Sequence, residues 1–300
     1  MTLEAEIRAL AKARDAIILA HNYTLPEVQD LADFVGDSLE LSRKAAACQA
    51  KTILFCGVRF MAETAKLLSP QATVLLPNPH AGCPMANTVT PEALRAWKAK
   101  HPGVLVVAYV NTTAETKAEV DLCCTSGNAR KIIESIPRER EILFVPDANL
   151  GANLMRETGR TFHLWPGCCP THARLTPAIV EAARAEHPGA RLVVHPECAP
   201  AVVALADAAL STGGMLRDAR ENPTTDFIVG TEVGLLHRLR QENPTKRFFP
   251  LSERVLCPNM KRTTVEDMLF ALREGTTEIT LPPDLIPRAR KPIEAMLELC

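Results

Sequence analysis

Short apolar, largely β-branched runs alternate along the chain with stretches rich in Ala, Leu, Glu and Arg that read as helices. The runs fall at residues 16–20, 52–56, 73–76, 104–110, 142–145, 161–164, 191–194, 227–229 and 247–250. Nine strands alternating with helices predict an α/β fold with parallel sheets covered by helices. A count of nine also invites a search for a threefold repeat.

Fixed offsets support one. His21, Tyr109 and His195 each close a strand, and each is followed 17 residues later by a small hydroxyl residue, Ser38, Ser126 and Thr212, ahead of a helical stretch. The three Cys-Pro pairs, Cys83-Pro84, Cys169-Pro170 and Cys257-Pro258, follow the same strand ends by 62, 60 and 62 residues. Seven residues beyond each Cys stands a Thr (Thr90, Thr176, Thr264) where a helix should start. Thr90 and Thr176 precede a Pro, the pattern of an N-cap with Pro at the first helical position. His101-Pro-Gly103 and His187-Pro-Gly189 read as helix stops. Any α/β chain repeats strand and helix, but that does not place one Cys-Pro pair in each unit. The expected organisation is therefore three similar αβα units around a pseudo-threefold axis: 1–86 plus 262–300, 87–173 and 174–261.

Composition narrows the function. With Lys+Arg 34 against Asp+Glu 35, no global field favours nucleic acid or an anionic membrane. The 47% hydrophobic and 23% charged content is that of an ordinary globular protein. No stretch approaches 18 uninterrupted apolar residues, and the opening Met1-Thr2-Leu3-Glu4-Ala5-Glu6 lacks a basic region before an apolar core. A cytoplasmic protein is expected, and ten Cys in a reducing compartment argue for metal binding or chemistry rather than disulfides. Cys48 and Cys56 read as core thiols and Cys300 as mobile. Cys123, Cys124 and Cys198 lie near site residues but do not repeat. Cys168 competes with Cys169, and the Cys-Pro register selects Cys169.

Ligands of parallel sheets sit beyond the carboxyl ends of the strands. Three packed units would bring Cys83, Cys169 and Cys257 together in a trigonal array with one coordination position open. Soft thiolates so arranged suit zinc with a fourth ligand such as His172, or an iron–sulfur cluster with one iron free of protein. Spacings of 86 and 88 residues, with no short Cys-x-x-Cys pair, favour the cluster. His80, His163 and His237 show no partner pattern and read as structural.

At these residues the sequence resembles the quinolinate synthase family. The resemblance rests on His21-Asn22-Tyr23 with Pro26-Glu27-Val28-Gln29-Asp30 and Gly36-Asp37-Ser38; on Phe60-Met61-Ala62-Glu63-Thr64-Ala65; and on Tyr109-Val110-Asn111. It continues through Cys124-Thr125-Ser126, Pro146-Asp147 with Asn149-Leu150-Gly151, Cys169-x-x-His172, His195-Pro196-Glu197-Cys198, Ser211-Thr212, Thr231-Glu232 and Cys257-x-x-Met260-Lys261. The resemblance implies three αβα units with a [4Fe–4S] cluster held by three Cys at their junction. It implies condensation of iminoaspartate with dihydroxyacetone phosphate to quinolinate, with loss of phosphate and two waters, in NAD biosynthesis. L-Aspartate oxidase or aspartate dehydrogenase would supply the iminoaspartate. Cys257 stands apart from any Cys-x-x-Cys run, which argues against a redox disulfide there. Gly127 and Leu210 replace a Ser and a Gly common among relatives.

On that resemblance Glu197 is the expected general base, with His21 and Tyr23 as acid–base or orienting groups. Alone, Glu197 would read as a solvated acid, His21 as a satisfied buried imidazole and Tyr23 as a strand-end aromatic; the chain's only two Tyr both lie at strand ends of the repeat. The expected substrate-binding set is His21, Ser38, Tyr109, Asn111, Ser126, His195, Glu197, Ser211, Thr212 and Thr231. Hydroxyl, amide and helix N-terminal donors suit two carboxylates and a phosphate, and plain N-capping by Ser38, Ser126 and Thr212 is compatible with that role. His172 reads first as a supporting donor beside Cys169. Met260 packs on a substrate ring and Lys261 attracts anions, or the two are simply core and surface. A Cys₃ zinc hydrolase with Glu197 as base and a non-catalytic binder of phosphorylated metabolites are the competing readings.

Overall fold

The structure, a computed structural model, describes residues 2–299; Cys300 lies outside the described residues. Among the described residues, twelve strands form three separate parallel sheets of four. The first holds β1 (Ala16–His21), β2 (Phe34–Gly36), β3 (Thr52–Cys56) and β4 (Thr73–Leu75) in the order β2-β1-β3-β4. The second holds β5 (Leu105–Tyr109), β6 (Leu122–Cys124), β7 (Ile142–Val145) and β8 (His163–Leu164) in the order β6-β5-β7-β8. The third, β9 (Arg191–Val194), β10 (Ala208–Ala209), β11 (Asp226–Gly230) and β12 (Arg247–Pro250), runs β10-β9-β11-β12. Helices flank each sheet, so the α/β class and the three αβα units are as expected.

All nine expected strands form, although the 161–164 run contracts to His163–Leu164. The three unexpected strands, β2, β6 and β10, each form one of the two edges of their sheet and have 3, 3 and 2 residues. Segments so short carry no period-2 pattern. One side chain per unit supports them instead. The carboxylates of Asp33, Asp121 and Asp207 accept the N–H of Ile18 (2.8 Å), Val106 (2.8 Å) and Leu192 (2.7 Å). Each Asp N–H in turn donates to the carbonyl of that same residue, at 2.9, 3.1 and 2.9 Å. The segment between His21 and Ser38, which reads as a long acidic loop, in fact contains the helix Pro26–Leu31 and β2.

Thr90, Thr176 and Thr264 cap their helices as expected, accepting from Ala93, Ile179 and Asp267 N–H. His101 and His187 end two of them, and Gly103 and Gly189 follow at φ 86° and 81°, where a side chain would be strained. Ser38 and Thr212 are not caps. Asp37 and Ser211 supply the capping oxygens, Ser38 and Thr212 are the first helical residues, and Ser126 precedes the helix Ala129–Ser135 by three positions.

Strands β3 and β7 are buried along their whole length, as parallel strands covered on both faces must be. The main core draws Phe55 from the first sheet, Phe144 from the second and Phe227 from the third, so the units share one interior. Helix Val265–Glu274 packs on helix Leu3–Ala13 and β3, whereas Leu285–Glu298 packs on β6 and on helices Ala114–Lys117 and Arg59–Leu68. The 262–300 segment therefore touches both the first and the second units. Among the described residues no helix is long and apolar enough to cross a membrane.

Candidate active site

The carboxyl ends of strands from all three sheets open on one cavity. Its volume is about 140 Å³. His21 is the last residue of β1, Tyr109 the last of β5, and His195 follows β9. These three line the cavity together with Tyr23, Ser38, Asn111, Ser126, His172, Glu197, Thr212 and Met260. Cys83, Cys169 and Cys257, each from the loop beyond the last strand of its sheet, line it as well.

Burial pushes the Cys83 thiol up to about 12, and burial followed by the Glu197 charge pushes Cys169 well above the ordinary thiol range. Among the described residues no Lys or Arg side chain bonds to any of the three sulfurs. Thiolates in such a place need a metal to carry their charge. Three soft donors, one per unit, facing one cavity fit an iron–sulfur cluster with its fourth corner open. Cys168, by contrast, is exposed.

Glu197 is buried beside two imidazoles and a phenol. His172 Nδ1 lies 2.7 Å and His195 Nδ1 3.7 Å from its Oε2, and the Tyr109 hydroxyl hydrogen-bonds to it. Burial alone would raise its pKa, but the two imidazoles and these bonds hold the carboxyl well below its ordinary value. A carboxylate only accepts, so His172 Nδ1 donates to it. In the neutral ring Nε2 then accepts from Thr231 Oγ1 at 2.8 Å, and Thr231 accepts from the Tyr23 hydroxyl at 2.5 Å. His172 Nδ1 also lies 3.2 Å from Cys169 Sγ. Backbone N–H groups of Tyr23 and Glu197 donate to Nδ1 of His21 (3.1 Å) and His195 (3.3 Å), which leaves Nε2 of each ring as the donor. Burial, and then neighbouring imidazoles, hold both rings down to about 3.

The family description "Quinolinate synthetase A protein" matches residues 5–298. The chain belongs to the quinolinate synthetase A family. The quinolinate synthase of Geobacter metallireducens is 51% identical over 298 residues, covering 99% of this chain and 98% of that one. That of Methanoregula boonei is 53% identical over 297 residues, again covering 99% and 98%. Among solved structures, the E-1-hydroxy-2-methyl-but-2-enyl-4-diphosphate reductase of Plasmodium falciparum aligns over 92% of this chain and 94% of that one, at 13% identity and a TM-score of 0.34. A likeness that low carries no argument.

Within this quinolinate synthetase A chain, three expected residues stand one layer behind the cavity wall. Ser211 caps Gly214 N and bonds Asp37 (3.2 Å), while Thr231 serves Tyr23 and His172. Lys261 is spent on Glu232 (3.0 Å) and the Tyr23 carbonyl (2.5 Å), so its charge is not free to draw anions. His163 and His237 do have partners, Glu141 (2.6 Å) and Asp30 (2.7 Å). A Cβ at Gly127 would approach Ser211 Oγ to 3.3 Å, so the glycine leaves that hydroxyl room.

Sequence reasoning passed over three residues. Asp147 and Glu232, two residues beyond β7 and β11, accept the backbone N–H of Cys169 (3.2 Å) and Cys257 (3.1 Å). Burial and then the Glu197 charge raise Asp147 to about 7. Both sit at matching points of the repeat, and that register was the available signal. Lys117 is fully buried and donates to the carbonyls of Val110 (2.7 Å) and Thr112, which flank Asn111. Burial lowers it to about 8. Asn111 Oδ1 is buried without a partner among the described residues, an acceptor left over at the cavity wall.

Proposed function

We propose that the chain makes quinolinate from iminoaspartate and dihydroxyacetone phosphate, releasing phosphate and two waters. Cys83, Cys169 and Cys257 would hold a [4Fe–4S] cluster. When bound, the cluster would supply a Lewis-acidic iron that eases departure of hydroxide. The observation that carries this reading is the convergence of three Cys-Pro loops, one per unit, on the cavity lined by Glu197.

Glu197, held ionised, takes a proton from substrate carbon or nitrogen. His172 holds it through Nδ1–H, and Tyr23 orients His172 through Thr231. The Nε2–H groups of His21 and His195, with Asn111, Ser38, Ser126 and Thr212, orient carboxylate and phosphate oxygens. The first residues of the helices Ser38–Ala46 and Thr212–Glu221 add backbone N–H donors. Ser211 and Thr231 act by holding Asp37, Tyr23 and His172. Iminoaspartate would come from L-aspartate oxidase or aspartate dehydrogenase in the same cytoplasm.

The test is an anaerobic assay for quinolinate from dihydroxyacetone phosphate and freshly generated iminoaspartate. Broad visible absorption that bleaches in air, with product, is expected. Cys169, His172 and Glu197 offer donors within 4.8 Å of one another, which would also suit zinc; a colourless, fully active zinc protein would replace the cluster reading. Glu197→Gln should keep the absorption and lose product formation.

A further inference from the structure

At the amino-terminal edge of the second sheet, away from the cavity at its carboxyl edge, three side chains from three elements meet. His101 ends the helix Pro91–Lys100, Glu141 precedes β7, and His163 opens β8. His163 Nε2 lies 2.6 Å and His101 Nδ1 3.5 Å from the same Glu141 Oε1, and all three ligand atoms lie within 4.8 Å of one another. Among the described residues no Lys or Arg bonds to Glu141.

Trp97 fixes both rings. Its indole stacks on His101 at 3.8 Å between centroids and 7° between planes, and meets His163 edge-on at 5.2 Å. Packing of this kind orients metal-binding imidazoles before the ion arrives. With metal–ligand bonds of about 2.0–2.1 Å, donor atoms around one ion stand about 3 Å apart. The observed spacings come within a small side-chain rotation of that, and the side chains are 33–49% exposed, free to make it.

We propose that His101, Glu141 and His163 form a binding site for one late first-row divalent cation of the zinc and nickel class. Two imidazoles and a carboxylate select such ions over calcium or magnesium, which prefer all-oxygen sites. Water fills the remaining positions. The ion ties the end of the helix to the starts of β7 and β8 and takes no part in quinolinate formation.

The experiment titrates the anaerobic, cluster-loaded Trp165→Phe protein with nickel chloride while tryptophan emission is followed, since Trp97 is then the sole indole. Saturable quenching with one nickel per chain, reversed by zinc, is expected. His101→Ala and His163→Ala should each weaken it by at least about tenfold, and Glu141→Gln should weaken it as well. Magnesium should have no effect. Melting temperatures without metal, unchanged in the variants, confirm that they fold. Absence of saturable quenching, or equal quenching in all variants, overturns the proposal.

Discussion

Cys168 and Cys169 are neighbours in sequence but meet different surroundings: Cys168 is exposed, whereas Cys169 faces the cavity with His172 3.2 Å away and its N–H held by Asp147. Cys169→Ser should therefore abolish the visible absorption of the reconstituted protein, while Cys168→Ser should leave most of it; the reverse result would assign the ligand to the wrong neighbour. His21 and His195, held neutral down to about pH 3 by burial, make a second prediction. In the unfolded chain both rings protonate below about 6.5. The unfolded state then binds more protons, so the contribution of these rings is fully present above pH 6.5 and is lost progressively toward pH 3. The loss is at most about 1.4 kcal/mol per pH unit for each ring. Urea midpoints should fall between pH 7 and pH 5, and more gently in His195→Gln; equal slopes would remove His195 from the account.

Among elements, β2, β6 and β10 depend on a side chain that the apolar pattern does not show. Asp121→Ala removes the acceptor of Val106 N–H and should cost about 1–3 kcal/mol. Chemical denaturation measures it, and no change would mean that β6 is held by packing alone. Lys117 acts on a loop in the same way. Lys117→Met keeps the buried length but leaves the carbonyls on either side of Asn111 without their donor. Substrate KM should rise several-fold with little change in kcat, the pattern expected when a binding residue loses its support. A fall in kcat alone would place Lys117 elsewhere in the mechanism.

For the molecule as a whole, a formal charge of −1 leaves no net field to steer the proposed anionic substrates. In the proposed function, capture would rest on converging short-range donors at the cavity, Arg174 among its lining residues, where salt screens little. kcat/KM should therefore change by less than about threefold between 20 and 200 mM salt, and a steep decline would reveal a steering patch. The three units also depend on one another. Glu63 in the first accepts the N–H of Ala114 in the second (3.0 Å), and Asn153 of the second holds the Pro196 carbonyl of the third (2.9 Å). Asn22 of the first bonds Thr212 of the third (2.9 Å).

Strand and helix alternation, the threefold repeat, the capping Thr residues and one Cys-Pro pair per unit are all legible in the sequence, because each is written in local periodicity or fixed spacing. That Cys169 rather than Cys168 lines the cavity is legible for the same reason. The edge strands β2, β6 and β10 are not, since two or three residues have no period and their support comes from an Asp whose partner lies 15 residues back in the chain. Nor are the chain from Tyr23 through Thr231 and His172 to Glu197, the neutralisation of Lys261 by Glu232, or the meeting of His101, Glu141 and His163. Each joins side chains whose separation along the chain is set by no repeat, and only the packing of the units onto a shared core brings them within bonding distance.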